Sequence, residues 1–207
     1  MSNEPIISVS GLRGIIGTSL TPTHAVRYAC SFAASLPSGP IVLTSDGRAS
    51  GPMLADAIRS GLVAVGRTCI DAGVAATPTT GILVLQHGAA GGIQISASHN
   101  PSEYNGLKLF SKQGRIISAL TSAEVLDRYH TTEIRWVDHD QLGETRKLSD
   151  TIGRHLSLVC DTVDVERIRA AKFHVLLDAN HGAGSSLGEA LLSELGCEIT
   201  VLGGEQD

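Results

Sequence analysis

Apolar residues recur along this chain in two rhythms. Thr23 to Leu36 places Val26, Ala29, Ala33 and Leu36 at helical spacing, and Pro40 then introduces Ile41-Val42-Leu43, a short run that reads as a buried strand. Pro52 opens a second helix that ends near Gly66, and Thr68-Cys69-Ile70 reads as the next strand. Thr79 to His87 reads as helix, Gly92 to Ile95 as strand, Gly106 to Phe110 as a returning strand and Ser122 to His130 as a short helix. Strand, crossover helix and strand in repetition predict right-handed βαβ units. The fold class is α/β: a mixed, largely parallel sheet with helices on both faces, followed by the start of a second, similar α/β domain.

The pattern changes at Val137 to Leu148, where Asp138-His139-Asp140-Gln141 and Glu144-Thr145-Arg146-Lys147 interrupt the apolar runs. The predicted organisation is a first domain over residues 1–137 and a linker with one connecting helix over 138–170, the helix running from Asp150 to about Ala170. An incomplete second α/β domain follows over 171–207. In that last part Lys172 to Leu177 is a strand, Asp178 to Ser185 turns into a helix reaching Leu195, and Glu198 to Leu202 begins another strand. The open sheet edge and apolar helix faces of half a domain predict self-association.

Composition narrows the function classes. Hydrophobic residues make up 42% of the 207 positions but aromatics only 3%, so the core must rest on Ala, Val, Ile and Leu. A net charge of −5 with interspersed signs argues against nucleic acid or an anionic membrane as partner. No apolar run approaches the ~20 residues of a membrane span, and Met-Ser-Asn-Glu-Pro lacks the regions of a signal peptide. Cys30, Cys69, Cys160 and Cys197 have no Cys-x-x-Cys spacing, so buried thiols in a reducing compartment outweigh a disulfide or zinc site. The cytoplasm is the default expectation.

The chemistry concentrates in Gln94-Ile-Ser-Ala-Ser-His-Asn-Pro-Ser-Glu-Tyr-Asn-Gly-Leu-Lys-Leu-Phe110. Asn100-Pro101 is one turn signal and Asn105-Gly106 a second, which puts Ser98 on a tight loop at the lip of a strand and Lys108 on the returning strand. A hydroxyl carrying phosphate would be presented in this way. His99, beside Ser98 on an extended segment, would point away from it and suits a hydrogen-bonding or shape role better than a general base. Asp46 and Arg48 follow a strand at its carboxyl end, where α/β sheets place functional loops; a salt bridge bracing the serine loop is the plainer reading. Asp178, Gly182 and Gly184 form a glycine-rich turn able to attract an anion at a helix N-terminus, or one that is structural. A serine hydrolase is disfavoured, because Gly-x-Ser-x-Gly is missing around Ser98.

Ser96-Ala-Ser-His-Asn-Pro101 with Tyr104-Asn-Gly-Leu-Lys108 resembles the phosphoserine loop of the α-D-phosphohexomutases, the family of phosphoglucomutase, phosphomannomutase and phosphoglucosamine mutase. The resemblance extends to Ser8-Val-Ser-Gly-Leu-Arg-Gly-Ile-Ile-Gly17, to Asp46-Gly-Arg48 and to Asp178-Ala-Asn-His-Gly-Ala-Gly-Ser185. It implies that Ser98 is the phosphorylated serine and that Lys108 and Arg13 flank the transfer as catalytic and substrate-binding cations. His99 stands beside them, and Asp46, Arg48, Asn100, Asn105 and Gly106 are structural support. It implies Mg²⁺ bound through the Ser98 phosphate, a hexose bisphosphate activator and a phosphorylated hexose as substrate. The reaction would interconvert hexose 1- and 6-phosphates through a bisphosphorylated sugar. The opening motif leans toward the phosphoglucosamine or phosphomannomutase types.

The family's metal loop, Asp-Gly-Asp-x-Asp-Arg, does not occur in the 207 residues. The expectation is therefore the N-terminal part of such an enzyme, inactive alone. The alternative is a non-catalytic fragment or a sugar-phosphate-binding module without the metal, sugar and phosphate loops.

Overall fold

In the computed structural model, which describes residues 4–8 and 11–205, seven strands form one sheet in the order β1-β2-β6-β5-β3-β4-β7. Val9 and Ser10 of the opening motif, and Met1 to Asn3, lie outside the described residues. The strands are β1 (Ile6–Ser8), β2 (Gly11–Ile15), β3 (Ile41–Ser45), β4 (Cys69–Val74), β5 (Gly91–Ile95), β6 (Tyr104–Ser111) and β7 (Thr145–Lys147). Pairings β5·β3, β3·β4 and β4·β7 are parallel, whereas β1·β2, β2·β6 and β6·β5 are antiparallel. Five of these seven strands share a direction, so the sheet is mixed and largely parallel.

Helices cover both faces. On one lie α1 (Pro22–Ser35), α2 (Gly51–Ala64) and α4 (Ala119–Thr131), whose Tyr28, Phe32, Leu54, Ile58, Leu62 and Val125 pack on Leu12, Leu43, Ile95 and Leu107 of the strands. On the other lies α3 (Thr77–Gln86), whose Leu83 and Val84 pack on Val42, Ile70, Ala72 and Phe110. The two core sets alternate along β3, as a two-sided buried strand requires. Thr21 caps α1 reciprocally with His24, and Pro22 at its first position suits a backbone already lacking an acceptor there.

The sequence reading departs from the structure in four places. The sequence reading assigns no element to the glycine-rich opening, but residues 11–15 form β2, with Arg13 opposite Gly106. Asn105 and Gly106 are not a turn: they sit inside β6, where a Cβ at Gly106 would lie 2.4 Å from Leu12 O. Close approach of β2, not a turn, therefore explains this glycine. Residues 145–147, within the predicted linker, add β7 to the first sheet. The single connecting helix is two, α5 (Gly153–Cys160) and α6 (Val165–Ala171), interrupted where Asp164 turns back to accept from Arg167 N at 3.0 Å.

Beyond these, β8 (His174–Asp178) and β9 (Glu198–Leu202) pair in parallel with α7 (Gly184–Glu194) against one face. The other face exposes Leu176 and Leu202. Thr79 Oγ1 and His155 Nδ1 meet at 2.8 Å, and Thr151 Oγ1 donates 2.7 Å to Ala72 O, so α5 is tied to α3 and the turn before it to β4.

Candidate functional site

β5 ends at Ile95, and the next three residues turn the chain out of the sheet. Ser96 N donates to Gly106 O at 2.9 Å, and Ser96 Oγ accepts from Ser98 N at 3.0 Å. Ser98 itself adopts φ 59°, a left-handed conformation that serine rarely takes, and its side chain is exposed. Such strain persists only where surrounding bonds over-determine it, and here Arg48 supplies them. Its Nη1 donates to Pro101 O (2.8 Å) and Tyr104 O (3.2 Å), and its Nη2 to Ser98 O (3.0 Å) and Asn100 O (2.7 Å). Its Nε pairs with Asp46 Oδ2 at 3.2 Å. One guanidinium thus ties four carbonyls of the serine loop to the end of β3.

The left-handed turn overturns one premise of the sequence reading. An extended segment would point Ser98 and His99 apart; with Ser98 at φ 59°, His99 Nδ1 lies 3.4 Å from Ser98 Oγ. His99 is therefore within reach of the hydroxyl, at the long end of hydrogen-bonding distance.

Two cations come from neighbouring strands. Arg13 on β2 donates from Nη1 to Asn100 Oδ1 at 3.1 Å, which fastens it to the loop. Lys108 on β6 opposes Gln94 on β5 and lines the same cleft as Ser98. Burial, and secondarily the Arg13 charge, push the Lys108 ammonium below the ordinary lysine range, while Asp46 opposes the fall. Asn105 is buried, its Nδ2 donating to Ser50 Oγ at 2.9 Å and its Oδ1 accepting from Gly106 N at 2.8 Å. It ties β6 to the start of α2.

The cleft has a volume of about 700 Å³. Ser98, His99, Asn100, Lys108, Asp46 and Arg48 line it from the first sheet, and Asn180 to Ala183, from the loop before α7, line it opposite. Asn180 and His181 are both left-handed, at φ 46° and 53°. Sequence reading left that loop open between an anion site and a structural turn, and nothing local signals that it would face a loop eighty residues away. It also passed over Gln94, which looks like one polar position in an apolar strand yet lines the cleft.

Magnesium takes about six oxygen ligands in near-octahedral geometry. Among the described residues no group of three or more His, Cys, Asp or Glu is arranged to hold an ion. Asp46, the acidic side chain on the cleft wall, is paired with Arg48. The donor set of the described residues does not by itself fit Mg²⁺.

Residues 5–135 match the family described as phosphoglucomutase/phosphomannomutase, alpha/beta/alpha domain I. A phosphoglucomutase/phosphomannomutase of Thermococcus kodakarensis is 35% identical over 202 residues, covering 95% of this chain and 44% of the relative. A phosphoglucosamine mutase of Synechococcus sp. WH7803 is 33% identical over 198 residues, covering 95% of this chain and 42% of the relative. Among solved structures, a phosphoglucomutase/phosphomannomutase family protein of Burkholderia thailandensis superposes with a TM-score of 0.73 at 25% identity, covering 98% of this chain and 45% of that one. The chain spans less than half the length of these relatives.

Proposed function

Because the chain belongs to the phosphoglucomutase/phosphomannomutase family, we propose that it carries the phosphoryl-bearing part of an intramolecular phosphotransferase acting on phosphorylated hexoses. The observation that carries this reading is the display of Ser98. It is strained, exposed and locked by Arg48 at the mouth of a cleft containing a lysine shifted toward its neutral form.

In the proposed reaction, phosphoserine 98 gives its phosphoryl group to a hydroxyl of a hexose phosphate. The P–O bond to Ser98 breaks, a P–O bond to the sugar forms, and a hexose bisphosphate results. After the bisphosphate reorients, its other phosphoryl group returns to Ser98. Positioning and charge stabilisation do most of the work in such transfers. Arg13, held by Asn100, would offer the phosphoryl oxygens a planar fork. Lys108 contributes charge and, with its lowered pKa, can exchange the proton that the sugar hydroxyl loses and the serine oxygen needs. His99 stands close enough to Ser98 Oγ to share that proton. The metal expected in such enzymes would screen the phosphoryl charge, with ligands beyond those the described residues arrange.

Glucose, mannose and glucosamine phosphates are all candidate substrates. The alternative, a sugar-phosphate-binding module, draws on the donor set of the described residues, which does not fit Mg²⁺.

The test uses a chain of enzyme length, with residues 1–207 grafted in place of the matching segment of the Thermococcus kodakarensis relative. It is assayed with Mg²⁺, a hexose 1,6-bisphosphate and each 1-phosphate. Turnover that Ser98→Ala abolishes is expected, and undiminished turnover in Ser98→Ala refutes the reading. Turnover by the 207-residue chain alone would exclude the binding-module alternative.

A further inference from the structure

Gln94 is the one buried polar side chain on the cleft floor whose hydrogen bonding is incomplete among the described residues. Its residue is 1% exposed, and Nε2 donates to Ala75 O at 3.0 Å, which fixes the amide and leaves Oε1 without a partner. A buried acceptor left unmade is destabilising, and such atoms in native proteins call for an explanation in function.

The register places a candidate donor on the neighbouring strand. Gln94 stands directly opposite Lys108 across the β5·β6 ladder, so both side chains leave the same face of the sheet. On its other flank Gln94 stands opposite Thr44, whose hydroxyl is bonded to Thr80 at 2.7 Å. The charged groups acting on Lys108 are Arg13, itself held by Asn100, and Asp46, itself paired with Arg48. An ammonium has three donors on a flexible four-carbon stem, and a half-buried lysine gains from any acceptor within its reach.

We propose that Gln94 is a positioning residue for Lys108. Its Oε1 receives one N–H of the Lys108 ammonium, holding the lysine along the cleft floor with two N–H groups directed at a phosphoryl group on or near Ser98. The oxygen is too enclosed for solvent to satisfy it, whereas Lys108 lies on the adjacent strand. This assignment rests on the reading of Lys108 as the proton-handling cation of the proposed transfer. The two fail separately, because loss of that reading would show as turnover unaffected by Ser98→Ala, and loss of this one as an unaltered Lys108 titration.

The experiment is a ¹⁵N-lysine NMR titration of the 207-residue chain, whose four lysines are 108, 112, 147 and 172, with Lys108→Arg assigning the signal. In the unsubstituted chain the Lys108 ammonium is expected to exchange its protons more slowly than the other three. Gln94→Met, close in volume and without the acceptor, is expected to lower the Lys108 midpoint by about one pH unit, because the charged form loses a hydrogen bond. Gln94→Asn, too short to reach, is expected to do the same. A Lys108 ammonium that exchanges as fast as the other three overturns the proposal even if neither variant folds. A midpoint unmoved in folded Gln94→Met or Gln94→Asn overturns it as well.

Discussion

Ser98 is held at φ 59°, which brings His99 Nδ1 to 3.4 Å from its hydroxyl. That conformation is imposed from fifty residues away by Arg48, through five contacts to the loop and Asp46. Arg48→Met should therefore destabilise the chain by roughly 2–3 kcal/mol, the scale of charged hydrogen bonds lost from a partly buried group. Urea unfolding with an unchanged m-value is the check. The same variant should slow any transfer through Ser98, because the loop would relax from its left-handed turn. The hydroxyl, histidine, lysine and turn signals of this site are legible in the string, but the φ of Ser98 is not, because the Arg48 contacts that hold it form only in three dimensions.

At the scale of elements, periodicity located the buried strands and most helices, since α/β cores write their faces into the sequence. It failed where glycine did two jobs. β2 goes unread because Gly11 and Gly14 hide its alternation, and Asn105-Gly106 reads as a hairpin signal although both residues are inside β6. The glycine there admits the backbone of β2, which carries Arg13 to the loop. Gly106→Ala should force β2 and β6 apart and lower stability by about 1–3 kcal/mol, the usual scale of overpacking. Amide hydrogen exchange should show the loss first along residues 11–15. The split between α5 and α6 was equally hidden, because Asp164 looks like one more polar helix position until its side chain is seen capping α6.

On the scale of the whole molecule, the cleft exists because the loop before α7 stands opposite the serine loop, and α5 helps to set that arrangement. His155, against Thr79 on α3, is held below the ordinary imidazole range by burial. Between its lowered value and about 6.5 the unfolded chain binds more protons than the folded one. The stability contributed by neutral His155 is thus full above that window and is lost as pH falls through it. Urea midpoints should drop between pH 7.5 and 5.5, and His155→Gln should flatten the drop. The exposed Leu176 and Leu202 on the β8·β9 face should give a concentration-dependent self-association, which sedimentation would register and Leu176→Lys should reduce. The central claim, that Ser98 carries the phosphoryl group, is tested most directly by peptide mapping of the grafted, enzyme-length chain after incubation with hexose 1,6-bisphosphate and Mg²⁺. One phosphoryl group on Ser98, absent from Ser98→Ala, is predicted. Turnover with phosphate on another residue, or on none, would contradict it.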